Sequence, residues 1–366
     1  MTRGTLRLSI IVPTFNEQSN IVELLKRIDA TLDLGGWEIV FVDDDSPDGT
    51  AALIREIARG DSRVRVLQRI GRRGLSSACI EGMLASSAPV IAVMDADMQH
   101  DETRLPHMLA AIEDQGAEMA LATRYRDGGS TGEWNHTRAS ISRFGTTLSR
   151  TVIRQPVSDP MSGFFMLRRS VLDETVRGLS ALGFKILLDI LATSKRPLKV
   201  VEIPYTFRSR FSGDSKLDSI ALWDFGMLLV DKLVGRYVPV RFVTFAIVGV
   251  LGVAVHMAVL TITLTGLAMS FLTSHSVATG TAMVFNFTVN NVLTYRDRRL
   301  RGWRWWSGLA SFALACSFGA AANVGVANYL FLENTQWALA AIAGVAVGAV
   351  WNYAITQIYT WGRGVK

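Results

Sequence analysis

Two aspartates, Asp95 and Asp97, stand one residue apart directly after the apolar run Val90–Met94. Carboxylates placed this way at the end of a buried strand can hold a hard divalent cation that also bridges the oxygens of a bound phosphate. By itself such a pair is more often a solvated acidic turn. Gln99 and His100 stand close by and, with the segments described next, shift the balance toward a cation site. The ligand types suit Mg²⁺ and Mn²⁺ equally.

A second acidic cluster, Asp43–Asp45, follows the apolar run Trp37–Val42 and precedes the turn-forming sequence Ser46–Gly49. Three adjacent carboxylates in one turn repel each other, so we expect a partner to compensate them, and the donors of a nucleoside base and ribose would do so. The alternative is an acidic cluster stabilised by the dipole of the following helix. That alternative explains Asp48 but not all three preceding carboxylates.

Apolar runs of strand length alternate with segments of helical spacing in the N-terminal part of the chain. The predicted strands are Leu8–Val12, Trp37–Val42, Val64–Leu67 and Val90–Met94, and the predicted helices are Asn20–Leu32, Ala51–Ala58 and Leu75–Ala85. This alternation indicates right-handed crossovers and a mainly parallel sheet. Ligands of such sheets bind beyond the carboxyl ends of the strands. The two acidic clusters, and the segment PTFNE after the first strand, are therefore expected to meet in one crevice.

The 366-residue chain is 49% hydrophobic and 19% charged, but these classes are unevenly distributed. Nearly all acidic residues precede Arg241, and long apolar stretches follow it, which indicates a soluble domain followed by a membrane domain. Each of these stretches is long enough to cross about 30 Å of hydrocarbon as a helix. The predicted spans are Phe242–Leu264, Phe271–Leu293, Leu309–Leu332 and Trp337–Trp361. The second contains Asn286, Asn290 and Asn291, so it is expected to pack inside a bundle.

The formal net charge is +6, and the basic residues cluster beside the apolar segments rather than in a basic, aromatic-rich stretch of the first domain. This favours a lipid bilayer over nucleic acid as a partner. The link RDRRLRGWRWW is basic, whereas the loops around Ala268 and Glu333 contain no Lys or Arg. The positive-inside rule then predicts a multi-pass protein with its first domain and both termini in the cytoplasm. Ile220–Val234 is interpreted as an amphipathic helix on the membrane surface, with a core helix as the alternative.

Several sequence segments occur in an order that is typical of one family. They are IIVPTFNE (Ile10–Glu17), VDDDSPDGT (Val42–Thr50), MDADMQH (Met94–His100), ATRY (Ala122–Tyr125), SDPMSGFFMLRR (Ser158–Arg169), GFKILLDI (Gly183–Ile190) and SGDSKL (Ser212–Leu217). Over roughly Leu8–Leu217 the chain therefore resembles the dolichol-phosphate mannose synthases of the inverting glycosyltransferase family 2. The tail, with FNFTVNNVLTYRDRR, resembles the four-helix membrane domain called GtrA-like.

The resemblance implies an α/β fold with a GT-A, Rossmann-like catalytic domain and a mainly parallel sheet over residues 1–216. An amphipathic interface helix or linker over residues 217–239 would follow. An all-α transmembrane domain of four helices would occupy residues 240–366.

The resemblance also implies roles for individual residues. The nucleoside would be contacted by Pro13, Phe15, Glu17, Val42 and Asp44. The donor diphosphate would lie beside Asp95, Ala96, Asp97 and Gln99, of which Asp95, Asp97 and Gln99 would hold the metal. Further donor contacts would come from Lys185, Arg210 and Lys216. The acceptor phosphate would be bound by Arg124, Arg138 and Ser142. Catalysis itself would rest on Asp95, Asp97, Arg124 and Arg138.

The activity implied by the resemblance is transfer of mannose from GDP-mannose to a polyprenyl monophosphate with inversion, at the cytoplasmic membrane face. A phosphomonoester has a second pKa of about 6, so the acceptor is largely ionised at pH 7 and needs no strong general base. One alternative is a polyprenyl-phosphate glucosyltransferase using UDP-glucose. Another, from a different class, is a lipid-linked sugar flippase or a scaffold with an inactive transferase domain. An inactive domain is disfavoured by the intact Asp95, Asp97, Gln99 and Arg210.

Overall fold

The computed structural model describes residues 5–32, 35–130, 145–181, 183–208, 219–235, 237–333 and 335–362. The contacts divide the chain into two compact units, Met1–Leu233 and Val234–Lys366. This division agrees with the predicted order of a mixed α/β part followed by a helical part.

The first unit is built on a sheet whose described strands have the order β3-β2-β1-β4-β6-β5-β7. The strands are β1 (Leu8–Thr14), β2 (Trp37–Asp43), β3 (Val64–Gln68), β4 (Val90–Val93), β5 (Met119–Thr123), β6 (Phe165–Arg168) and β7 (Val200–Pro204). Strands β1 to β4 are parallel, and β6 is antiparallel to both β4 and β5. The prediction of a mainly parallel sheet is confirmed.

Helices cover both faces of this sheet, which is why its strands are almost continuously apolar. The helices are α1 (Gln18–Thr31), α2 (Thr50–Gly60), α3 (Leu75–Ala85), α4 (Leu105–Glu113), α5 (Arg169–Thr175) and α6 (Ile186–Thr193). Neighbouring residues of β1 point to opposite faces, since Ile10 belongs to one core cluster and Ile11 to the other. Helix α3 lies very close to the sheet, because a Cβ added at Gly82 would lie 2.4 Å from Cγ2 of Ile11.

The helix α7 (Ser219–Val234) belongs to the first unit by its contacts. Phe225, Leu228 and Leu229 are buried against Leu188 of α6. The ammonium of Lys232 lies 2.5 Å from the buried carboxylate of Asp189. One face of α7 is thus docked on the rest of the first unit, as the core-helix alternative requires. Its placement on a membrane surface stays a prediction.

The second unit is helical and consists, in its described part, of four helices arranged as two antiparallel hairpins. Helices α8 (Val240–Thr261) and α9 (Phe271–Val289) form one, and α10 (Trp303–Leu332) and α11 (Trp337–Ile355) the other. By length and composition, Val240–Gly266 and Trp303–Leu330 could each cross a membrane. The prediction that all four helices cross stays a prediction.

The hairpins are closed by equivalent contacts between an asparagine and a glycine. A Cβ added at Gly252 would lie 2.1 Å from Oδ1 of Asn286, and one added at Gly319 would lie 1.9 Å from Oδ1 of Asn352. Small residues of this kind allow the close approach of membrane helices. Trp361 is 1% exposed and belongs to the core of the bundle.

Candidate active site

Three loops at one edge of the sheet each contain a non-glycine residue in the left-handed region. Asn16 after β1 and Asp45 after β2 have φ of 57°, and Met98 after β4 has φ of 60°. Each such residue costs on the order of 1–3 kcal/mol and persists only where the surroundings hold it. Because β1 is parallel to both β2 and β4 in the sheet, the three loops leave the sheet at the same edge. The predicted convergence of these segments is therefore found.

Hydrogen bonds join the first two of these loops. The backbone N–H groups of the β1 loop donate to side chains of the β2 loop: Asn16 to Ser46 at 3.0 Å, Glu17 to Thr50 at 3.2 Å and Gln18 to Asp48 at 3.1 Å. Helices α1 and α2 thus begin side by side. The loop conformations are held by one another before any ligand arrives.

The acidic cluster after β2 is compensated by the protein itself. Asp43 accepts hydrogen bonds from the backbone N–H and the hydroxyl of Ser46, at 2.9 and 2.5 Å. Asp45 accepts one from Gln68 at 3.0 Å. The expected compensation is therefore supplied by Ser46 in the same turn and by Gln68 at the end of β3, so the acidic cluster does not by itself require a ligand. The assignment of Asp44 to the nucleoside stays a prediction.

Asp44 forms a buried ion pair that the sequence did not indicate. Its carboxylate accepts a hydrogen bond from Nη1 of Arg69 at 2.7 Å and another from the backbone N–H of Gly74 at 2.7 Å. The Arg69 side chain is 2% exposed. Burial raises the pKa of Asp44, although the Gly74 N–H and the charge of Arg69 oppose that shift. Arg69 therefore anchors the end of β3 to the β2 loop.

The predicted nucleoside residues lie in these loops with different exposure. Pro13, Phe15 and Glu17 are half-buried, whereas Val42 is completely buried, so only its backbone can face a ligand. The guanidinium of Arg73 lies 4.3 Å from the centre of the Phe15 ring. Such a cation–π contact places a positive charge beside the loop.

The predicted metal ligands occupy the loop after β4. The carboxylate of Asp95 is 36% exposed, whereas Asp97 is 5% exposed. The backbone N–H of Gln99 donates to Asp97 at 3.1 Å, and the Gln99 side chain donates to the Arg208 carbonyl at 3.2 Å. The Arg208 N–H donates back to the Gln99 carbonyl at 3.0 Å, so the segment after β7 is tied to this loop.

His100 orients Asp95 and was not assigned a role from the sequence. Its Nδ1 accepts a hydrogen bond from the Asp95 backbone N–H at 3.0 Å, and its Nε2 lies 3.7 Å from Oδ2 of Asp95. The ring is 2% exposed and stacks on Phe164, with Tyr205 and Phe207 at its edges. Burial lowers the pKa of His100 to about 4, so the imidazole is neutral at pH 7. A neutral ring that accepts at Nδ1 carries its proton at Nε2, on the side of the carboxylate.

The residues present fit a hard divalent cation in a partly open site. Within the described ranges no group of three or more His, Cys, Asp or Glu side chains is placed to hold a metal. Asp95 and Asp97 would therefore supply part of the coordination, and the oxygens of a diphosphate and water would supply the rest, as Mg²⁺ prefers. The exposed carboxylate of Asp95 is accessible to an ion from solvent, and the buried carboxylate of Asp97 lies on the protein side of such a site.

Arg124 follows β5 and is held by a buried carboxylate. Its Nε and Nη2 donate to the two oxygens of Asp159 at 2.6 and 2.8 Å, while the side chains are 8% and 0% exposed. Burial opposes the charge on Arg124, but the hydrogen bonds and charge of Asp159 prevail and raise its pKa. Tyr125 and Phe207 lie against the guanidinium, with ring centres at 5.5 and 5.6 Å. The cation is thus permanent and its plane is set by Asp159.

Lys185 stands at the start of α6, and its ammonium donates to the Met161 carbonyl at 3.2 Å. It is therefore tied to the segment that also carries Asp159. The remaining predicted site residues lie outside the described residues: Arg138, Ser142, Arg210 and Lys216.

Comparison with known proteins agrees with this arrangement. Residues 9–176 match the model described as Glycosyl transferase family 2, and residues 244–361 match that described as GtrA/DPMS, transmembrane domain. The chain is 34% identical over 358 residues to a dolichol-phosphate mannosyltransferase of Pyrococcus furiosus, with 97% of this chain and 99% of that relative covered. The chain belongs to the dolichol-phosphate mannosyltransferase family. As a member of this family it is a glycosyltransferase with a membrane domain, and both predictions are confirmed.

Other proteins match a smaller share of the chain. A polyprenol monophosphomannose synthase of Mycolicibacterium smegmatis is 34% identical over 221 residues, which cover 59% of this chain and 82% of that protein. Among solved structures, glucosyl-3-phosphoglycerate synthase of Mycobacterium tuberculosis in complex with uridine diphosphate has a TM-score of 0.45 at 19% identity, covering 62% of this chain and 80% of that one.

Proposed function

We propose that this protein transfers mannose from GDP-mannose to a polyprenyl monophosphate, with inversion, at the cytoplasmic face of a membrane. The observation that carries this proposal is the likeness to the Pyrococcus furiosus dolichol-phosphate mannosyltransferase, which spans 99% of that relative and so includes both units. A polyprenyl tail stays in the bilayer, because each CH₂ exposed to water costs about 0.8 kcal/mol. A transferase acting on such a lipid therefore has to remain at the membrane.

The donor would lie across the loops after β1, β2 and β4. Pro13, Phe15 and Glu17 would face the nucleoside from the β1 loop, with Asp44 and the backbone of Val42 beside them. The interlocked loops present this surface without further ordering, which limits the entropic cost of binding. Lys185, Arg210 and Lys216 would add positive charge toward the diphosphate.

Asp95 and Asp97, with help from Gln99, would hold a divalent cation, Mg²⁺ or Mn²⁺. When bound, this ion neutralises charge on the departing diphosphate. His100 keeps the Asp95 backbone in place through its hydrogen bond at 3.0 Å. Because His100 is buried and neutral, it serves to position that aspartate and not to accept a proton from the acceptor.

The acceptor phosphate would be bound by Arg124, with Arg138 and Ser142 as its predicted partners. Asp159 holds the Arg124 guanidinium in one plane, so the direction from which a phosphate oxygen approaches is restricted. That oxygen forms a bond to the anomeric carbon while the bond from this carbon to GDP breaks. The nucleophile is already ionised, and one displacement turns an α-linked donor into a β-linked product. Catalysis is then positioning and charge stabilisation.

The test is sugar transfer by the purified full chain in liposomes containing polyprenyl phosphate, with labelled GDP-mannose or UDP-glucose, with and without EDTA. We expect EDTA-sensitive labelling of lipid from GDP-mannose and a β-linked product by NMR. Asp97→Asn should reduce the rate at least about 100-fold, on the scale known for lost electrostatic contacts in active sites. Asp114→Asn, at the exposed end of α4, is the matched control and should leave the rate unchanged.

Labelling from UDP-glucose alone would replace the donor and keep the acceptor. Labelling from neither sugar, by folded protein, would overturn the proposal in favour of another sugar donor. Protease access to the first unit in right-side-out and inverted vesicles tests the membrane face. Cleavage in inverted vesicles alone is expected.

A further inference from the structure

A cavity of about 390 Å³ lies in the second unit, where a π-helical turn (Asn290–Thr294) at the end of α9 meets the start of α10. Two arginines and two tryptophans are among the residues that line it. The residues that matter here are Thr288, Asn291, Arg299, Arg301, Trp305 and Trp306. Its volume falls in the range of about 300–1,000 Å³ that is typical of small-molecule sites.

The wall that carries the arginines is held in place from two sides. The Asn291 amide donates to the Leu300 carbonyl at 3.0 Å, and its oxygen accepts from the Leu300 N–H at 2.8 Å and from Trp361 at 3.1 Å. The Leu300 side chain fits against Gly308, since a Cβ added there would lie 2.4 Å from Leu300 Cδ1. Arg299 and Arg301 flank this anchored residue, so their backbone positions are set.

The charge around the cavity is strongly positive. The segment from residue 296 to residue 304 contains five arginines and one acid, Asp297. That acid is already engaged, because its carboxylate lies 2.7 Å from Arg241 and 3.7 Å from Arg298. Within the described part of the chain, neither Arg299 nor Arg301 forms an ion pair. Like charges concentrated on an anchored loop repel each other, and an anion bound between them would relieve this.

The other wall points to a lipid as the source of that anion. Trp305 and Trp306 line the cavity. Trp306 is 61% exposed, and the nearby Trp303 is 82% exposed. Exposed indole rings at the end of apolar helices are typical of the level of lipid headgroups. Two guanidinium groups beside indole rings suit a phosphodiester that continues into an apolar chain, whereas free phosphate would use only the cations.

We propose that this cavity binds the phosphate of an anionic membrane phospholipid. The residues that line it all belong to the second unit, and none of them is among those assigned to the donor or the acceptor. Its effect would be to hold a lipid of one charge class against the loop between α9 and α10.

The test uses the purified full chain in detergent micelles and native mass spectrometry with dioleoylphosphatidylglycerol or dioleoylphosphatidylcholine. The wild type should bind a first phosphatidylglycerol in clear preference to phosphatidylcholine. The double variant Arg299→Gln with Arg301→Gln should reduce this preference roughly 30-fold, because it removes two positive charges that each attract an anionic headgroup. The control, Arg298→Gln with Arg304→Gln, removes the same charge from the same segment outside the cavity wall and should change the preference less than about 3-fold.

Equal losses in the two double variants would mean diffuse attraction to the basic segment and would overturn the proposal. Displacement of the lipid by inorganic phosphate at comparable affinity would also overturn it, because the occupant would then be a free anion. Val292→Phe narrows the cavity without changing charge. If this variant has the melting temperature of the wild type and the same affinity for phosphatidylglycerol, the cavity is not the binding site.

Discussion

Removing the carboxylate that holds Arg124 should destabilise the first unit strongly. In Asp159→Asn the guanidinium, 8% exposed, loses the charge that faces it at 2.6 and 2.8 Å. Leaving one partner of a buried pair uncompensated costs about 3–5 kcal/mol, and we expect about 3 because asparagine keeps one acceptor oxygen. Against a typical total of about 5–15 kcal/mol, this is a large fraction of the free energy of unfolding.

The measurement is urea unfolding of the full chain in detergent, compared with Glu113→Gln. Glu113 forms a bidentate pair with Arg7 as well, but these side chains are 31% and 45% exposed. An exposed pair contributes at most about 1 kcal/mol, so this control should stay close to the wild type. Equal effects of the two substitutions would refute the argument from burial.

A double variant separates the structural role of Arg124 from its proposed role at the acceptor. Replacing both members of a buried pair by apolar residues is often neutral or stabilising. Arg124→Met with Asp159→Leu should therefore regain most of the lost free energy of unfolding while sugar transfer stays abolished. If the stable double variant still transfers sugar to lipid, Arg124 does not bind the acceptor phosphate.

Further substitutions test three other contacts. His100→Asn keeps a hydrogen-bond acceptor at the Nδ1 position, so the affinity for Mn²⁺, measured by electron paramagnetic resonance, should change less than about 3-fold. His100→Phe leaves the buried N–H of Asp95 without an acceptor and should weaken that affinity roughly tenfold. Gly82→Ala should lower the free energy of unfolding by about 1–3 kcal/mol through overpacking against two strand side chains, while Gly60→Ala, with open space around it, should not. Gly319→Ala should lower the melting temperature of the second unit, and Asn352→Ala in the same chain should restore part of it, because the clash is with that amide.

The regular part of the fold could be predicted because each element satisfies a local rule. Strands β1 and β2 are buried on both faces, so they are apolar apart from Ser9 and Glu38, and their ends are marked by Thr14 and Asp43. Parallel pairing then brings the loops to one edge without any knowledge of tertiary contacts. The later strands β5 to β7 were not predicted. Their order and direction in the sheet depend on β6, which lies antiparallel between β4 and β5.

The supports of the site could not be predicted, because nothing local distinguishes them. Arg69 stands one residue beyond β3 and resembles the exposed Arg72, yet one is 2% and the other 61% exposed. Asp159 lies far along the chain from Arg124, and only the fold brings them together. His100 adjoins Gln99 and invites assignment as a ligand. Its burial among aromatic rings, which makes it a support for Asp95, depends on Phe164.

The asparagines of α9 bear on the choice between an anchor and a lipid flippase. A polar path through the membrane would need amides that remain available along the helix. The amide of Asn290 instead donates to the carbonyl of Asn286 at 2.9 Å, and its oxygen accepts from Thr294 at 2.7 Å. Asn286 packs on Gly252. These side chains are used to close the hairpin and its π-helical turn, which favours an anchor.

The second hairpin supports the same conclusion, because it repeats the arrangement. The segment from Asn352 to Trp361 corresponds to that from Asn286 to Tyr295: each begins with an asparagine packed on a glycine and continues through a π-helical turn to an aromatic residue. The two aromatic residues stack on each other, with ring centres 4.0 Å apart and planes at 7°. In each hairpin the asparagine packs on a glycine of the neighbouring helix, so the packing of that helix pair explains its position. This packing role favours an anchor.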